Sequence, residues 1–166
     1  MNIVLIGIRG SGKSKLGQLI ADKLKREFID IDNIIEKDNG KTISEIVDKH
    51  GWEHFRKLEN IATEKISKIK NTVIATGGGT VLNEENMTAL KKNGSIIYLK
   101  VSPEVCAKRI KDSTERPALT NEKTLEDEIK KIFSERNKLY KKNADYIFER
   151  SSDLEKDADA IISITN

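Results

Sequence analysis

Residues 7–14 read Gly-Ile-Arg-Gly-Ser-Gly-Lys-Ser, and this stretch decides the fold class of the chain. It directly follows the apolar run Ile3 to Ile6 and precedes an amphipathic helical pattern. In that setting the glycines let the loop turn, its backbone N–H groups point at phosphate oxygens, and the positive end of the next helix adds to the attraction. We predict a nucleoside triphosphate site; a glycine-rich turn without a ligand is the alternative. The residues assigned to the triphosphate are Gly10, Ser11, Gly12, Lys13, Ser14 and Lys15.

Two side chains of this loop suit phosphate chemistry. Lys13 is expected to reach the β- and γ-phosphates, and the Ser14 hydroxyl is expected to ligate Mg²⁺. A carboxylate is also needed near the magnesium, at the end of a neighbouring strand. The third and fourth apolar runs of the chain end without an acid, so the carboxylate must come from elsewhere.

Acids at the carboxyl end of the second apolar run meet this need. Asp30 and Asp32 are two positions apart, which places both on the same side of an extended chain. We assign Asp30 to the metal, directly or through a water molecule, and Asp32 to the acceptor substrate. The alternative for Asp32 is that it only caps a helix starting near Asn33, a common use of aspartate.

Five short apolar runs recur along the chain, with helical patterns between them. This alternation argues for parallel strands joined by helical crossovers, and so for an α/β fold. A length of 166 residues is most simply one domain with a substantial core. The runs are Ile3 to Ile6, Phe28 to Ile31, Thr72 to Ala75, Ser95 to Val101 and Asp145 to Phe148.

The segment between the second and third runs is longer than a crossover requires. It carries two helical patterns, at residues 43–47 and 55–69, separated by His50, Gly51 and Trp52. Because a minimal crossover needs only one helix, we predict a substrate-binding insertion, about residues 32–62, over the carboxyl edge of the sheet.

A polar segment follows the helix predicted from Pro103 to Ile110. Residues 112–124 lack helical periodicity, and Pro117 breaks any helix there. Long loops in compact domains tend to be functional, so we interpret this segment as a lid whose Arg116 closes on the transferring phosphoryl group. A plain surface loop, with Arg116 as one solvated arginine among many, is the alternative.

Two further arginines stand out by position. Arg136 shares the apolar face of a helix with Ile129 and Tyr140, and burying a guanidinium without a partner is costly. It therefore pairs with an internal acid, or it faces a cavity and binds an anion, which we favour. Arg56 lies three positions before Glu59, so an intrahelical ion pair is the alternative to an anion site.

Three glycines, Gly77, Gly78 and Gly79, follow the third run. Exposed N–H groups of such a run approach a ligand without obstruction from side chains. A simple flexible turn is the competing interpretation.

The composition excludes several classes of protein. The 30 basic and 27 acidic residues are interspersed and leave a formal net charge of +3, so charge does not argue for a nucleic-acid partner. Cys106 is the single cysteine, so no intrachain disulfide is possible and the sequence holds no zinc ligand set. Neither a signal-peptide pattern nor a bilayer-length apolar stretch is present. We expect a cytoplasmic protein.

Taken in order along the chain, these motifs resemble those of the shikimate kinases. The phosphate loop alone is nonspecific, but its combination with the other motifs is highly specific, and the resemblance covers nearly the whole chain. The weakest match is the segment from Arg150 to Asp153, after the fifth run, which the resemblance implies contacts adenine. The matching motifs are residues 7–14 with Gly17, Asp30-Ile31-Asp32, Phe55-Arg56-Lys57-Leu58-Glu59, Gly77 to Gly79, Arg116-Pro117-Ala118-Leu119, and Arg136 with Leu139-Tyr140.

The resemblance implies a fold and a reaction. The fold is a three-layer α/β/α domain over residues 1–166, with a five-stranded parallel sheet of the P-loop kinase type, a helical substrate-binding insertion and a lid loop. The reaction is transfer of the γ-phosphoryl group of ATP to the 3-hydroxyl of shikimate, in the route to chorismate and the aromatic amino acids. The cofactor would be Mg²⁺, and the ligands would be ATP and shikimate. We expect a monomer, with no nucleic-acid or membrane partner.

The same resemblance implies roles for residues of the acceptor site. Arg56 and Arg136 would bind the substrate carboxylate, with Glu59 holding Arg56 in place. Asp32 and the glycines at 77–79 would contact the ring hydroxyls.

On the donor side, the resemblance implies that Arg109 packs against adenine and that Arg116 also contacts ATP. Lys13 and Arg116 would stabilise the charge on the moving phosphoryl group. Asp32 would orient the attacking hydroxyl, either as the base that accepts its proton or as an orienting group alone, so that Lys13, Asp32 and Arg116 form the catalytic set.

Other readings of the phosphate loop remain open. A gluconate kinase or a nucleoside monophosphate kinase of the same fold is the runner-up, although two carboxylate-seeking arginines beside Asp32 favour a hydroxy acid. A nucleotide-dependent switch is the alternative from another class. The guanine signature Asn-Lys-x-Asp is absent, because Asn137-Lys138 is followed by Leu139-Tyr140.

Overall fold

Parallel pairing of five strands organises the chain in the computed structural model, which describes residues 1–111 and 120–165. The strand order is β2-β3-β1-β4-β5. Each predicted apolar run is a strand, displaced by no more than one residue at either end. The strands are β1 Asn2–Ile6, β2 Glu27–Asp30, β3 Thr72–Ala75, β4 Gly94–Lys100 and β5 Tyr146–Glu149.

Helices cover both faces of the sheet, which confirms the three-layer α/β/α prediction. Side chains alternate along β1, so Ile3 and Leu5 pack with α1 and α7, whereas Val4 and Ile6 pack with the helices of the opposite face. The helices are α1 Lys13–Leu24, α2 Ile31–Asn39, α3 Ile43–Ser67, α4 Glu84–Lys91, α5 Pro103–Lys111, α6 Leu125–Asn143 and α7 Leu154–Thr165. Within the described residues, none of them is long and apolar enough to cross a membrane.

The topology brings the phosphate loop and the triple glycine together. β1 lies at the centre of the sheet between β3 and β4, and Leu5 pairs with both Ala75 and Ile97. The loops after β1 and β3 therefore leave the sheet side by side at its carboxyl edge. Crossovers run in opposite directions from this point, and ligands of open α/β sheets bind in the crevice that results.

Gly17 allows α1 to lie close to the sheet. A methyl group at this position would lie 2.6 Å from the ring of Phe28 and 3.2 Å from Leu5 Cδ1. Distances that short displace the neighbouring atoms, so glycine is accommodated within the helix despite a propensity cost of about 1 kcal/mol relative to alanine.

The junction between β2 and α2 corrects one sequence-based argument. β2 ends at Asp30, which is the N-cap of α2, and its Oδ1 accepts a hydrogen bond from the backbone N–H of Asp32 at 3.0 Å. Asp32 is therefore a residue of the first helical turn, neither part of an extended chain with Asp30 nor the cap of a helix near Asn33. Asp30 takes the cap because its backbone is still extended there.

The two helical patterns predicted between β2 and β3 are present as two helical segments on either side of a sharp kink at Gly51, and we label them together as α3. α3 runs from Ile43 to Ser67, and Gly51 interrupts it with a φ of 78° and a ψ of 169°. These angles are outside the helical region and favour glycine. A separate helix, α2, precedes it, so the crossover contains more helix than the pattern predicted.

Candidate active site

The phosphate loop is held in shape by its own lysine. Lys13 Nζ donates hydrogen bonds to the carbonyl oxygens of Gly7 at 2.8 Å and Ile8 at 3.0 Å. Gly10 and Gly12 take positive φ values of 82° and 89°, which let the loop curl around the amine. The loop ends where α1 begins, so the N–H groups of the first helical turn face the same space.

A hydroxyl and a carboxylate meet beside this loop. Ser14 Oγ donates a hydrogen bond to Asp30 Oδ2 at 2.5 Å. Burial raises the pKa of the Asp30 carboxyl, and the hydrogen bond from Ser14 opposes that rise. Both groups are oxygen donors of the kind Mg²⁺ prefers, and Mg²⁺ in kinases is held by one or two carboxylates together with phosphate oxygens and water. The described residues contain no cluster of three or more acidic, histidine or cysteine side chains that could hold a metal ion.

A second cavity opens between α3, α6 and the loop after β3. Its wall includes Asp32, Arg56, Arg136 and the glycines at 77–79. The structure thus brings together all the residues that the sequence assigned to the acceptor. Arg116, Pro117 and most of the predicted lid lie outside the described residues.

Arg56 is fixed in this cavity by a buried carboxylate. Its Nη1 donates to Glu59 Oε2 at 2.6 Å, and Thr80 Oγ1 donates to the other carboxylate oxygen at 2.6 Å. Glu59 is only 1% exposed. The guanidinium carbon also lies 5.5 Å from the ring centre of Trp52 and 5.3 Å from that of Phe55, within the range of a cation–π contact. The ion pair expected as an alternative is therefore present, and Arg56 lines the cavity as well.

Arg136 has a backbone partner instead of an internal acid. Its Nη1 donates to the carbonyl oxygen of Gly78 at 3.1 Å, and none of the ion pairs among the described residues includes it. Arg136 and the paired Arg56 line the same cavity. Three arginines, Arg9, Arg56 and Arg136, and two acids, Asp32 and Glu59, line the cavity, so its formal charge is net positive and it favours an anion.

The triple glycine is explained by close approach. A methyl group on Gly77 would lie 2.7 Å from Glu59 Oε1 and 2.9 Å from Asp32 Oδ1, and one on Gly79 would overlap the Arg56 guanidinium. None of the three has a positive φ. Larger side chains at Gly77 or Gly79 would displace residues of the site. Glycine is therefore needed at these two positions because there is no space for a side chain, and not because the backbone adopts an unusual conformation.

The two cavities share a wall. Arg9, Asp32 and Gly78 line the cavity beside the phosphate loop as well as the acceptor cavity. A group bound at the loop and a group bound between the arginines therefore meet at Asp32.

Arg150 begins the segment that was the weakest match in the sequence analysis, and the structure places it beside the phosphate loop. Its side chain is 7% exposed, pairs with Asp157 at 3.1 Å and donates from Nη1 to the carbonyl oxygen of Ser11 at 3.1 Å. Arg109, predicted to pack against adenine, approaches the same carbonyl at 3.4 Å. The sequence analysis gave Arg150 no contact with the loop, although its position just after the fifth strand is at the edge where ligands of parallel sheets bind.

Comparisons with known proteins agree with this geometry. A model of the shikimate kinase family matches residues 9–166. A shikimate kinase of Caldanaerobacter subterraneus subsp. tengcongensis is 45% identical over 162 residues, which cover 97% of this chain and 94% of that protein. Among solved structures, shikimate kinase from Acinetobacter baumannii in complex with shikimate has a TM-score of 0.90 at 32% identity, covering 98% of this chain and 89% of that one. Shikimate kinase from Aquifex aeolicus has a TM-score of 0.84 at 39% identity, with coverages of 98% and 95%.

Proposed function

The chain belongs to the shikimate kinase family, and on that premise we propose that it transfers the γ-phosphoryl group of ATP to the 3-hydroxyl of shikimate. The products are shikimate 3-phosphate and ADP. The observation that carries the proposal is the cavity in which Arg56, Arg136 and Asp32 converge beside the phosphate loop. A hydroxy acid presents one anionic end to the arginines and a hydroxyl to the aspartate, which matches that arrangement of charges.

In the acceptor site, Arg56 and Arg136 bind the shikimate carboxylate, and the backbone at 77–79 together with Asp32 contacts the ring hydroxyls. This assignment is supported by the lining of the cavity and by the clamp that Glu59 applies to Arg56. A planar carboxylate suits two guanidinium groups, because each offers parallel N–H donors.

In the donor site, the N–H groups from Gly10 to Lys15 bind the triphosphate and Arg109 packs against adenine. When ATP binds, the Lys13 amine leaves the carbonyl oxygens of the loop and binds the β- and γ-phosphates instead. Ser14 and Asp30 hold Mg²⁺, which neutralises phosphate charge when it is bound. Arg116, whose role rests on the sequence alone, closes on the transferring group.

Phosphoryl transfer forms a bond between the shikimate oxygen and the γ-phosphorus while the bond from that phosphorus to ADP breaks. The protein contributes position and charge, since little covalent chemistry is left for it to perform. Asp32 orients the attacking hydroxyl and accepts its proton. Closure of the lid proposed from the sequence would exclude water, which otherwise competes as an acceptor.

The domain boundaries, the oligomeric state and the cellular location are proposed from the sequence. We propose one kinase domain over residues 1–166, with its substrate-binding insertion at about 32–62 and its lid at about 112–124. We also propose a cytoplasmic monomer whose ligands are ATP and shikimate. Gel filtration at micromolar concentration tests the monomer directly.

The function is tested by ADP release in a coupled assay with Mg²⁺ and ATP. Shikimate, gluconate, CMP and no acceptor are compared, and we expect turnover with shikimate alone. Turnover confined to gluconate or CMP would overturn the proposal, and ATP hydrolysis without an acceptor would favour a nucleotide switch. A Lys13→Ala preparation, purified in parallel, controls for kinases of the expression host.

A further inference from the structure

Tyr140 reaches the triple glycine from the buried side. Its hydroxyl donates a hydrogen bond to the carbonyl oxygen of Gly78 at 2.5 Å, and the residue is 0% exposed. Arg136 donates to the same oxygen at 3.1 Å. Arg136 and Tyr140 are one helical turn apart on α6, so both side chains leave the helix on one face. One carbonyl thus accepts from two residues of one helix.

The ring of Tyr140 is itself held by the sheet. Tyr98 of β4 stacks on it, with ring centres 5.0 Å apart and planes inclined by 21°. The Tyr98 hydroxyl donates elsewhere, to Asn137 Oδ1 at 3.0 Å. A stacked pair of buried rings has little rotational freedom, so the position of the Tyr140 hydroxyl is set by the core.

The Tyr140 hydroxyl also remains a hydrogen-bond donor over a wide range of pH. Burial raises its pKa well above the ordinary value for tyrosine, although the charge of Arg136 opposes the rise. The hydroxyl therefore keeps its proton throughout the neutral and mildly alkaline range.

Gly78 needs an external support of this kind. It has no side chain to anchor it, and glycine peptides reorient at low energetic cost. It also lines both cavities, so rotation of its carbonyl changes the backbone at the point where donor and acceptor meet. Such rotation would also remove one hydrogen-bond partner of Arg136, which interacts directly with the Tyr140 hydroxyl as well.

We propose that Tyr140 is a positioning residue of the acceptor site, whose hydroxyl fixes the Gly78 carbonyl and, through it, the Arg136 guanidinium. The proposal rests on the function assigned above and deepens it, because it adds a buried residue that never touches the substrate. Its effect falls on the affinity for the carboxylate-bearing acceptor and spares the affinity for ATP.

The test compares Tyr140→Phe with Tyr98→Phe. Each variant loses one buried hydroxyl from the same stacked pair, but only the first loses a bond to Gly78. For Tyr140→Phe we expect the KM for shikimate to rise roughly tenfold, the factor typical of a lost hydrogen bond, with the KM for ATP changed less than about twofold. Tyr98→Phe is expected to leave both KM values unchanged. Equal effects in the two variants, or an unchanged shikimate KM in Tyr140→Phe, would overturn the proposal.

Binding without turnover provides a second readout. Trp52 is the only tryptophan and lines the acceptor cavity, so its fluorescence reports shikimate binding in the absence of ATP. We expect the Kd to rise by the same factor as KM in Tyr140→Phe. Thermal unfolding checks that both variants are folded, and a loss of stability shared by them cannot produce the difference in Kd between them.

A double mutant tests the route through Arg136. If Tyr140 acts through the Gly78 carbonyl on this arginine, adding Tyr140→Phe to Arg136→Ala lowers kcat/KM by less than about twofold more. A full multiplicative loss would contradict that route. If wild-type protein turns over another acceptor and not shikimate, the proposed function fails, and the same comparisons with that acceptor decide the role of Tyr140 separately.

Discussion

Arg56 and Glu59 form an ion pair of 2.6 Å within one turn of α3, and the carboxylate is almost completely buried while the guanidinium is 29% exposed. This difference in exposure means that Glu59 is part of the buried protein interior and holds Arg56 in place, whereas Arg56 remains accessible to a ligand in the cavity. An intrahelical ion pair and an anion site, which sequence spacing presents as alternatives, are therefore two parts of one arrangement.

Glu59→Gln tests this arrangement. The amide keeps the shape of the side chain but loses the charge that holds Arg56, so we expect the KM for shikimate to rise roughly tenfold with a smaller change for ATP. Thermal stability should fall by several degrees, because a charged partner of a buried network is lost. Glu53→Gln on the same helix is the control: its pair with Lys57 is solvent-exposed and its loss should change neither quantity. Equal kinetics in the two variants would contradict the clamp.

Lys13→Ala should mainly depress kcat. In the proposed mechanism the amine neutralises charge on the transferring phosphoryl group, so we expect kcat to fall by at least about a hundredfold. Steady-state assays at saturating ATP and shikimate measure it. Lys92→Ala, an exposed lysine at the opposite edge of the sheet, serves as the control. A near-normal rate for Lys13→Ala would refute the phosphate assignment.

Asp30→Asn separates stability from catalysis. Burial raises the folded pKa of Asp30 above that of the unfolded chain, so the ionised carboxylate opposes folding, and this cost appears as pH rises through the folded pKa. Asparagine caps a helix as well as aspartate does, so at neutral pH we expect Asp30→Asn to melt at the same temperature as wild type or higher. The difference should shrink as pH falls through the raised folded pKa of the wild-type carboxyl, and it should vanish below the ordinary pKa of an unfolded aspartate, about 3.9.

Activity of the same variant should move the other way. In the proposed site this carboxylate would help to hold Mg²⁺, so for its loss we expect kcat/KM to fall roughly tenfold or more and the requirement for Mg²⁺ to rise. Asp38→Asn, an exposed substitution on α2, controls for helix effects. A fully active Asp30→Asn with unchanged Mg²⁺ dependence would show that Asp30 serves only as a cap.

Asp157→Asn should affect the donor site selectively. Asp157 accepts hydrogen bonds from Arg150 and from the backbone N–H of Ser151, and Arg150 in turn supports the phosphate loop at Ser11. We expect the KM for ATP to rise roughly fivefold while the Kd for shikimate, measured by Trp52 fluorescence, stays constant. Asp159→Asn, whose pair with Lys23 is solvent-exposed, should have no effect. A shift in shikimate affinity equal to that in ATP would contradict the separation of the two sites.

Much of the site was predictable because its signals are local. The phosphate loop carries its own strand and helix, and each apolar run marks a strand to within one residue. The position of the strand end, uncertain by one residue, nevertheless made the argument about Asp32 incorrect. Side chains two positions apart lie on the same side only while the chain is extended, and the chain becomes helical at Ile31. The assignment of Asp32 to the acceptor cavity agrees with the geometry, although the argument for it was wrong.

The parts that escaped prediction depend on contacts between distant residues. The partner of Arg136 is a backbone carbonyl 58 positions away, and that of Arg150 at the loop lies 139 positions away. Spacing along one helix cannot identify a carbonyl on another element. Tyr140 looked like one more apolar position because its hydroxyl partner, Gly78, has no side chain to signal the contact.

Asp30 belongs to two structures at once, since one oxygen caps α2 through the N–H of Asp32 and the other accepts from Ser14 of the phosphate loop. Whatever draws this carboxylate towards the loop also acts on the first turn of α2, where Asp32 meets the acceptor. The free energies of binding the two substrates are then not independent. Thermodynamic linkage requires the influence to be reciprocal, so an acceptor that tightens the hold on nucleotide must itself be held more tightly, by the same factor, once the nucleotide is in place.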